Sequence, residues 1–415
     1  MQILNLQIAE LKPYQKNARL HPQKQIDALC RNIEKFGFTT PVLIDEENNV
    51  IAGHGRLMAL KQLDRPNVPC VRIEGLSEKD IDALRLADNK IASMAEWEED
   101  LLAEALQGLT DEQRKDAGFD DKEVTQALNC ALNGEEDDFD TEPPKKPKTK
   151  MGELWILGDH RLLVGDSTKR EDVERLMGGG KADLFLTDPP YGVSYTAKNI
   201  AVHGNVSPVS QGENTIENDE KSIEEIKPIW FASAKNALDV CNNDASYYWF
   251  ACQGGDQMMM MMMMIGEAGW LVRHELIWKK NSMVFGRSDY HYQHEPIIYG
   301  WKKKGKHNWY SDRTQTSILE FDRPRESKLH PTTKPVELVA YLIKNNTKTG
   351  DIVLDLFGGS GSTLIACEQM KRKCFMLEIS ESYCDVILNR WVAQTGGEPI
   401  REDGMAWSEL NGKLG

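Results

Sequence analysis

The stretch "GDIVLDLFGGSGSTLIACEQMKRKCFMLEIS", residues 350–380, decides how the second half of the chain folds. An apolar run leads to Asp355 and then breaks into Gly358-Gly359-Ser360-Gly361 before helix-forming residues resume near Ser362. Strand, glycine turn and helix in that order predict one unit of a parallel sheet. Glycines there let a ligand approach the backbone closely, and the following helix N-terminus favours its negative groups. Some twenty residues on, Glu378 closes the next apolar run, where a carboxylate can accept hydrogen bonds from both hydroxyls of a ribose. The loop alone would serve a structural turn or a dinucleotide. Paired with the acid, it points to a nucleoside cofactor.

Working outward, further strands are expected at 160–166, 183–188, 245–252, 270–280 and 295–301, with helical stretches between several of them. That is the pattern of a mostly parallel, doubly wound sheet. The strand at 183–188 runs into Asp188-Pro189-Pro190-Tyr191. Prolines fix φ and cannot donate to a ladder, so the strand must stop there and a rigid loop must hold Asp188 and Tyr191 at its carboxyl edge. Ligands of open α/β sheets bind at that edge. Hydride transfer has no use for such a loop. Methyl transfer to an exocyclic amine does, and the Ser-Thr after the glycine turn favours S-adenosylmethionine over a nicotinamide.

At 415 residues the chain is long enough for two or three domains. The longest apolar run is the methionine tract at 258–265, too short to span a bilayer and read as one packed helix rather than a metal-binding box. The eight cysteines form no CxxC pair, which argues against a zinc site or disulfide framework. The first residues carry no secretory signature, so a cytoplasmic location without a membrane partner is expected. The net charge of −15 hides a basic segment. Between Trp270 and Asn345 there are 14 Lys and Arg against 8 Asp and Glu, including "WKKKGKHNWY" at 301–310. Bases interleaved with aromatics predict a nucleic-acid contact through Lys302, Lys303, Lys304 and Lys306, against the plainer reading of a solvated hairpin.

Residues 134–150, an acidic run followed by a Pro/Lys run, read as a flexible linker between a unit at 1–133 and one at 151–415. In the first unit, Ile26, Leu29, Ile33 and Phe36 fall at helical spacing before Gly37, and "AGHGR" (52–56) marks a strand-to-helix junction. A small α+β domain closed by helices is expected.

Residues 151–395 resemble the amino-methylating DNA methyltransferases, which are marked by a D/N/S-P-P-Y/F tetrapeptide and an F-x-G-x-G cofactor loop. Here these are "DPPY" at 188–191 and "FGGSG" at 357–361, with "HPTTKP" at 330–335 before the cofactor strand and Gly165-Asp166 before the catalytic one. The order resembles the permuted β group. The resemblance implies a class I S-adenosylmethionine-dependent methyltransferase, a Rossmann-like doubly wound sheet with permuted motifs. In it Asp188 and the Pro189 carbonyl would receive the amine of a base flipped out of the duplex, beside Pro190, and Tyr191 would stack on the ring. It implies Glu378 at the ribose, Asp166 at the adenine amine, Phe357 at the adenine face, and the 359–361 loop (Gly359, Ser360, Gly361), Asp355 and Lys334 around the rest of the cofactor. Specificity is expected within roughly 265–330.

Residues 17–63 resemble the N-terminal domain of ParB-type partition proteins, whose G-E-R-R box binds nucleotide phosphates. This chain has Gly53-His54-Gly55-Arg56 instead, which puts nucleotide hydrolysis in doubt. The expectation is a site-specific DNA methyltransferase acting on double-stranded DNA, with adenine N6 favoured over cytosine N4, because an aspartate leads the tetrapeptide. A nucleotide at the ParB-like domain and a homodimer are left open. The rival from another class is a non-catalytic, partition-like DNA-binding protein.

Overall fold

Strands that bury both faces read as continuous apolar runs, and those runs build the larger part of this protein. The structure, a computed structural model, describes residues 2–14, 17, 19–95, 97–139, 141–192, 222–284, 289–322 and 333–411. The chain divides into two units, Met1–Ala131 and Leu132–Gly415.

In the first unit, β1 (Ile3–Gln7), β2 (Val42–Ile44), β3 (Val50–Ala52) and β4 (Asn67–Arg72) form a sheet in the order β1-β4-β2-β3. Val42, Ile44, Val50, Leu57, Leu60 and Val68 make its core. The helix Gln23–Phe36 forms as its spacing predicts, but it buries Ile26 and Cys30 and leaves Phe36 55% exposed at its last turn. The strand-to-helix junction is also where expected: Gly53 caps the helix His54–Gln62 with φ of 100°, a left-handed conformation that disfavours any side chain.

The second unit is a ten-stranded sheet. Its strands are β5 (Leu154–Leu157), β6 (His160–Val164), β7 (Ala182–Thr187), β8 (Cys241–Phe250), β9 (Trp270–Val284), β10 (Tyr292–Lys302), β11 (Ile318–Glu320), β12 (Ile352–Asp355), β13 (Lys373–Glu378) and β14 (Ile400–Arg401). They are ordered β11-β9-β10-β8-β7-β12-β13-β6-β5-β14. The central strands β8, β7, β12, β13 and β6 run parallel, and antiparallel β10 and β5 flank them. Side chains alternate between two cores: Leu184 and Leu186 enter one and Phe185 the other, as do Val353 and Leu354. Each such side chain contributes about 1.5–3 kcal/mol on burial. The methionine tract forms one helix, Gly255–Ala268, which buries Met261 and exposes Met259 and Met263. Neighbouring β7 and β12 send the chain to opposite sides, to β8 and to β13. Their carboxyl ends therefore open a crevice.

Residues 134–150 are not the flexible linker their composition suggests. Those that the structure describes, 134–139 and 141–150, lie along the second unit as a strap. Lys148 and Thr149 donate backbone N–H groups to the Asp385 carboxylate at 2.9 and 3.0 Å. Glu136 accepts from Glu337 N at the start of the helix Val336–Asn346, a position that favours an acid. Gly134 passes so close to that helix that a Cβ would fall 2.3 Å from Ala340 Cβ. Farther on, Arg390, itself 2% exposed, holds Asp137 with two hydrogen bonds of 2.5 and 2.7 Å. Of the acidic run, Asp137 is thus spent on a buried partner, while Glu135 and Asp138 stay exposed.

Candidate active site

The crevice holds a cavity of about 300 Å³ at the carboxyl ends of β7 and β12. Eleven of the twelve residues expected at the catalytic and cofactor sites line it: Asp166, Asp188, Pro189, Pro190, Tyr191, Lys334, Asp355, Phe357, Gly359, Ser360 and Glu378. Gly361 stands just behind them as the cap of the helix Ser362–Gln369, at φ of 87°.

On the β7 side, Asp188 is held from two directions. Tyr191 donates its hydroxyl to Asp188 Oδ1 at 2.6 Å, and Lys334 donates Nζ to Oδ2 at 2.5 Å. The Pro190 carbonyl accepts from Trp230 Nε1 at 2.9 Å, which fixes the turn from below. Burial pushes the Asp188 carboxyl above its ordinary range, Lys334 opposes that shift, and Glu295 adds to it. Glu295 lies at the start of β10, 3.5 Å from Lys334 through Oε2 and 2.5 Å from Lys280 Nζ through Oε1. Burial alone would raise Glu295, but the two ammonium groups carry it below the usual carboxylate value. Four alternating charges thus run from Asp188 to β9.

On the β12 side, Asp355 Oδ1 accepts from Thr187 Oγ1 at 2.9 Å and from Phe357 N at 3.1 Å, tying the two strand ends together. Buried, and next to Asp188, its carboxyl is pushed up to about 7. Asp355 therefore braces the two loops while also lining the cavity. Glu378 accepts from Gly359 N at 2.7 Å and from Ser380 N at 2.8 Å, so one carboxylate organises the glycine turn and faces the cavity. Asp166 Oδ1 accepts from Thr168 N and Oγ1 at 2.9 and 2.7 Å. A nucleoside fits this wall: a loop almost free of side chains, an acid where a ribose would lie, and the rings of Phe357 and Tyr383 beside it. Among the described residues no cluster of His, Cys, Asp or Glu suits a metal ion.

Lys334 was expected against the cofactor. It lines the same cavity as the glycine turn and donates there to Asp188; His330, Pro331 and Thr332 of the same motif lie outside the described residues. The lysines of the basic segment stand apart from this cavity. Because β10 runs antiparallel to β8, with Ile297 opposite Phe250 and Trp301 opposite Ser246, Lys302–Lys306 emerge at the amino edge of the sheet, away from the cavity. Lys302 donates to the Cys241 carbonyl at 2.6 Å and Lys303 to the Gly266 carbonyl at 2.5 Å. Both carbonyls close helices, Ile223–Val240 and Gly255–Ala268, whose carboxyl ends attract cations. That is the physical reason for at least two of the four lysines. Glu295, Lys280 and Trp230 were missed altogether. An acid heading the apolar run "EPIIY" was the one available signal for Glu295.

Glycine turn, ribose acid and rigid acidic loop around one crevice define a class I methyltransferase site with permuted motif order. The DNA methylase family profile matches residues 182–389, and the ParB N-terminal domain profile matches residues 1–90. The ParB-like nuclease domain-containing protein YnaK of Escherichia coli (strain K12) is 43% identical over 79 residues, 19% of this chain and 91% of that protein. The type II methyltransferase M.Cfr9I of Citrobacter freundii is 29% identical over 136 residues, 30% of this chain. The chain spans only 45% of that relative's length. A crystal structure of an M1.HpyAVI–SAM complex aligns at 20% identity and a TM-score of 0.41, covering 55% of this chain and 97% of that one. The protein belongs to the DNA methylase family that modifies exocyclic amines, N6 of adenine or N4 of cytosine, and carries a ParB N-terminal domain ahead of it. S-adenosylmethionine is the cofactor of that family and DNA its substrate. No helix among the described residues is long and apolar enough to cross a membrane.

Proposed function

We propose that the protein methylates the N6 amine of adenine at specific sites in double-stranded DNA. The observation that carries this reading is the placement of Asp188, Pro189 and Tyr191 in one cavity with the Gly359–Gly361 turn and Glu378. An exocyclic amine is out of reach within the base stack, so the target base must rotate into the cavity. Asp188 and the Pro189 carbonyl accept its two N–H groups, which draws the nitrogen lone pair out of conjugation and orients it. Tyr191 offers its ring to the base, worth about 1–3 kcal/mol by stacking. S-adenosylmethionine, when bound, supplies the electrophilic methyl group. Asp188, raised by burial and already accepting from the amine, is the base assigned to the proton that the methylated amine sheds. Holding the partners in line is where most of the acceleration arises.

Adenine is preferred to cytosine because an aspartate leads the tetrapeptide. Modified-base sequencing of DNA from cells that express the protein tests both levels. N6-methyladenine at a recurrent site is expected, and N4-methylcytosine there would overturn the choice of base. Asp188→Ala should abolish transfer while S-adenosylmethionine still binds within a few-fold by calorimetry. Turnover above a hundredth of the parent would refute the role given to Asp188.

The duplex is taken to cross the carboxyl edge of the sheet, where the β9–β10 hairpin exposes Tyr290 and Tyr292. The amino-terminal unit is read as an accessory DNA- or nucleotide-binding module. It presents His54, which accepts from Tyr14 N at 3.3 Å, and Arg56, whose Nε is buried without a partner among the described residues. Equilibrium binding of labelled nucleoside triphosphates to the full chain tests the nucleotide half of that reading.

A further inference from the structure

Both oxygens of the Asp188 carboxylate are already engaged, Oδ1 by the Tyr191 hydroxyl and Oδ2 by the Lys334 ammonium. A base amine seeking Asp188 must therefore compete with a cation 2.5 Å away. The cation is deeply enclosed: the Lys334 side chain is 7% exposed and Nζ lies 5.1 Å from the Phe250 ring centroid. Releasing it to an apolar wall would leave a buried charge without a counter-ion, which is far costlier than keeping it paired.

Glu295 offers the alternative. Its Oε2 is buried, lies 3.5 Å from Lys334 Nζ and accepts no well-formed hydrogen bond among the described residues. Its other oxygen is held by Lys280 at 2.5 Å, so the carboxylate stays in place whatever Lys334 does. The ammonium would need to move only about 1 Å, the difference between its 3.5 and 2.5 Å separations, to exchange one carboxylate for the other. Net charge in the site is unchanged by that exchange.

We propose that Glu295 is the seat to which Lys334 transfers when the target amine takes its place on Asp188, so that Glu295 and Lys334 are positioning residues for the reaction. The inference rests on the reading of Asp188 as the amine's acceptor. It goes beyond that reading by assigning an otherwise unexplained buried acid on β10. Lys334 reserves Asp188 Oδ2 in the geometry of a donor, and Glu295 makes the reservation reversible.

The test is a double-mutant cycle on the full chain, read by base capture rather than by turnover. The probe is a duplex carrying the site recovered by modified-base sequencing, with 2-aminopurine at or beside the target base. Its fluorescence rise reports the flipped base held in the cavity. Glu295→Gln should weaken capture roughly ten- to hundredfold, the worth of a hydrogen bond to a charged group, while the calorimetric affinity for S-adenosylmethionine stays within about twofold of the parent. Lys334→Met removes the competitor, so adding Glu295→Gln to it should cost nothing further. Strong non-additivity is the expected result. Additive losses, parental capture by Glu295→Gln, or Glu295→Asp performing no better than Glu295→Gln would each overturn the proposal. Asp188→Asn separates the two levels. If that variant methylates normally, the amine-acceptor reading fails. If it is inactive while the cycle is additive, only the Lys334–Glu295 exchange fails.

Discussion

Replacing Asp137 by alanine should destabilise the methyltransferase unit although the residue lies outside the span matched to the family. Arg390 Nη2 and Nε bind Asp137 at 2.5 and 2.7 Å, and the two side chains are 2% and 10% exposed. The same guanidinium donates Nη1 to the Ser360 carbonyl at 2.9 Å, so one arginine joins the strap to the cofactor turn. Removing the carboxylate leaves a buried cation with a single backbone acceptor of good length. Breaking such a pair from one side costs about 3–5 kcal/mol. For a unit of this size each kcal/mol lowers Tm by ~2–4 °C, so a fall of about 6–20 °C is expected.

The assay is thermal unfolding followed by circular dichroism, with and without S-adenosylmethionine. Asp137→Leu combined with Arg390→Met should recover much of the lost stability, because a buried pair exchanged for apolar groups is often nearly neutral. It should not recover cofactor affinity, since Ser360 has lost its donor. The same reasoning fixes the smallest active fragment: a chain starting at 132 keeps the pair, and one starting at 151 loses it. A loss below about 1 kcal/mol for Asp137→Ala, the range of a solvated surface pair, would refute the claim that the strap belongs to the fold.

Three shorter expectations follow from the site. Gly361→Val places a branched side chain at φ of 87°, with its Cβ 3.2 Å from Ile387 Cγ1; strain of about 1–3 kcal/mol should appear as a tenfold or greater loss of S-adenosylmethionine affinity in calorimetry, and parental affinity would remove the turn from the site. Asp355, raised to about 7 in the folded protein from an ordinary value near 3.8, binds more protons folded than unfolded between those limits. Its contribution is therefore full below about 4 and lost as pH rises through 7, so Asp355→Asn should flatten the fall of Tm between pH 4 and 8, and an unaltered slope would contradict it. Replacing Lys302, Lys303 and Lys304 together by alanine should leave the salt dependence of DNA binding unchanged, whereas a slope flattened by up to about 2.7 would show that these lysines do neutralise phosphates.

What could be read from the sequence was local chemistry. An apolar run ending in Asp-Pro-Pro-Tyr, or in Gly-Gly-Ser-Gly, carries its own boundary, because proline and glycine fix what the backbone does next whatever surrounds them. Burial on both faces made β7, β12 and β13 visible for the same reason: each needed only its own residues. The misreadings share the opposite cause. Nothing in "WKKKGK" states that β10 runs against β8, yet that single reversal sends Lys302 to the amino edge and Glu295 to the carboxyl one. Phe36 keeps the helical period, but it stays 55% exposed while Ile33, one turn earlier, packs against the core. Asp137 and Glu136 look like solvated linker acids until a buried arginine and the N-terminus of a helix are found beside them. A charged residue is placed by its partner, and the partners here lie 253 and 201 positions away along the chain. Lys334 is the same case at the active site: its motif announced that it mattered, and only the fold could show that it rests on Asp188, 146 residues earlier, with Glu295 waiting within 3.5 Å.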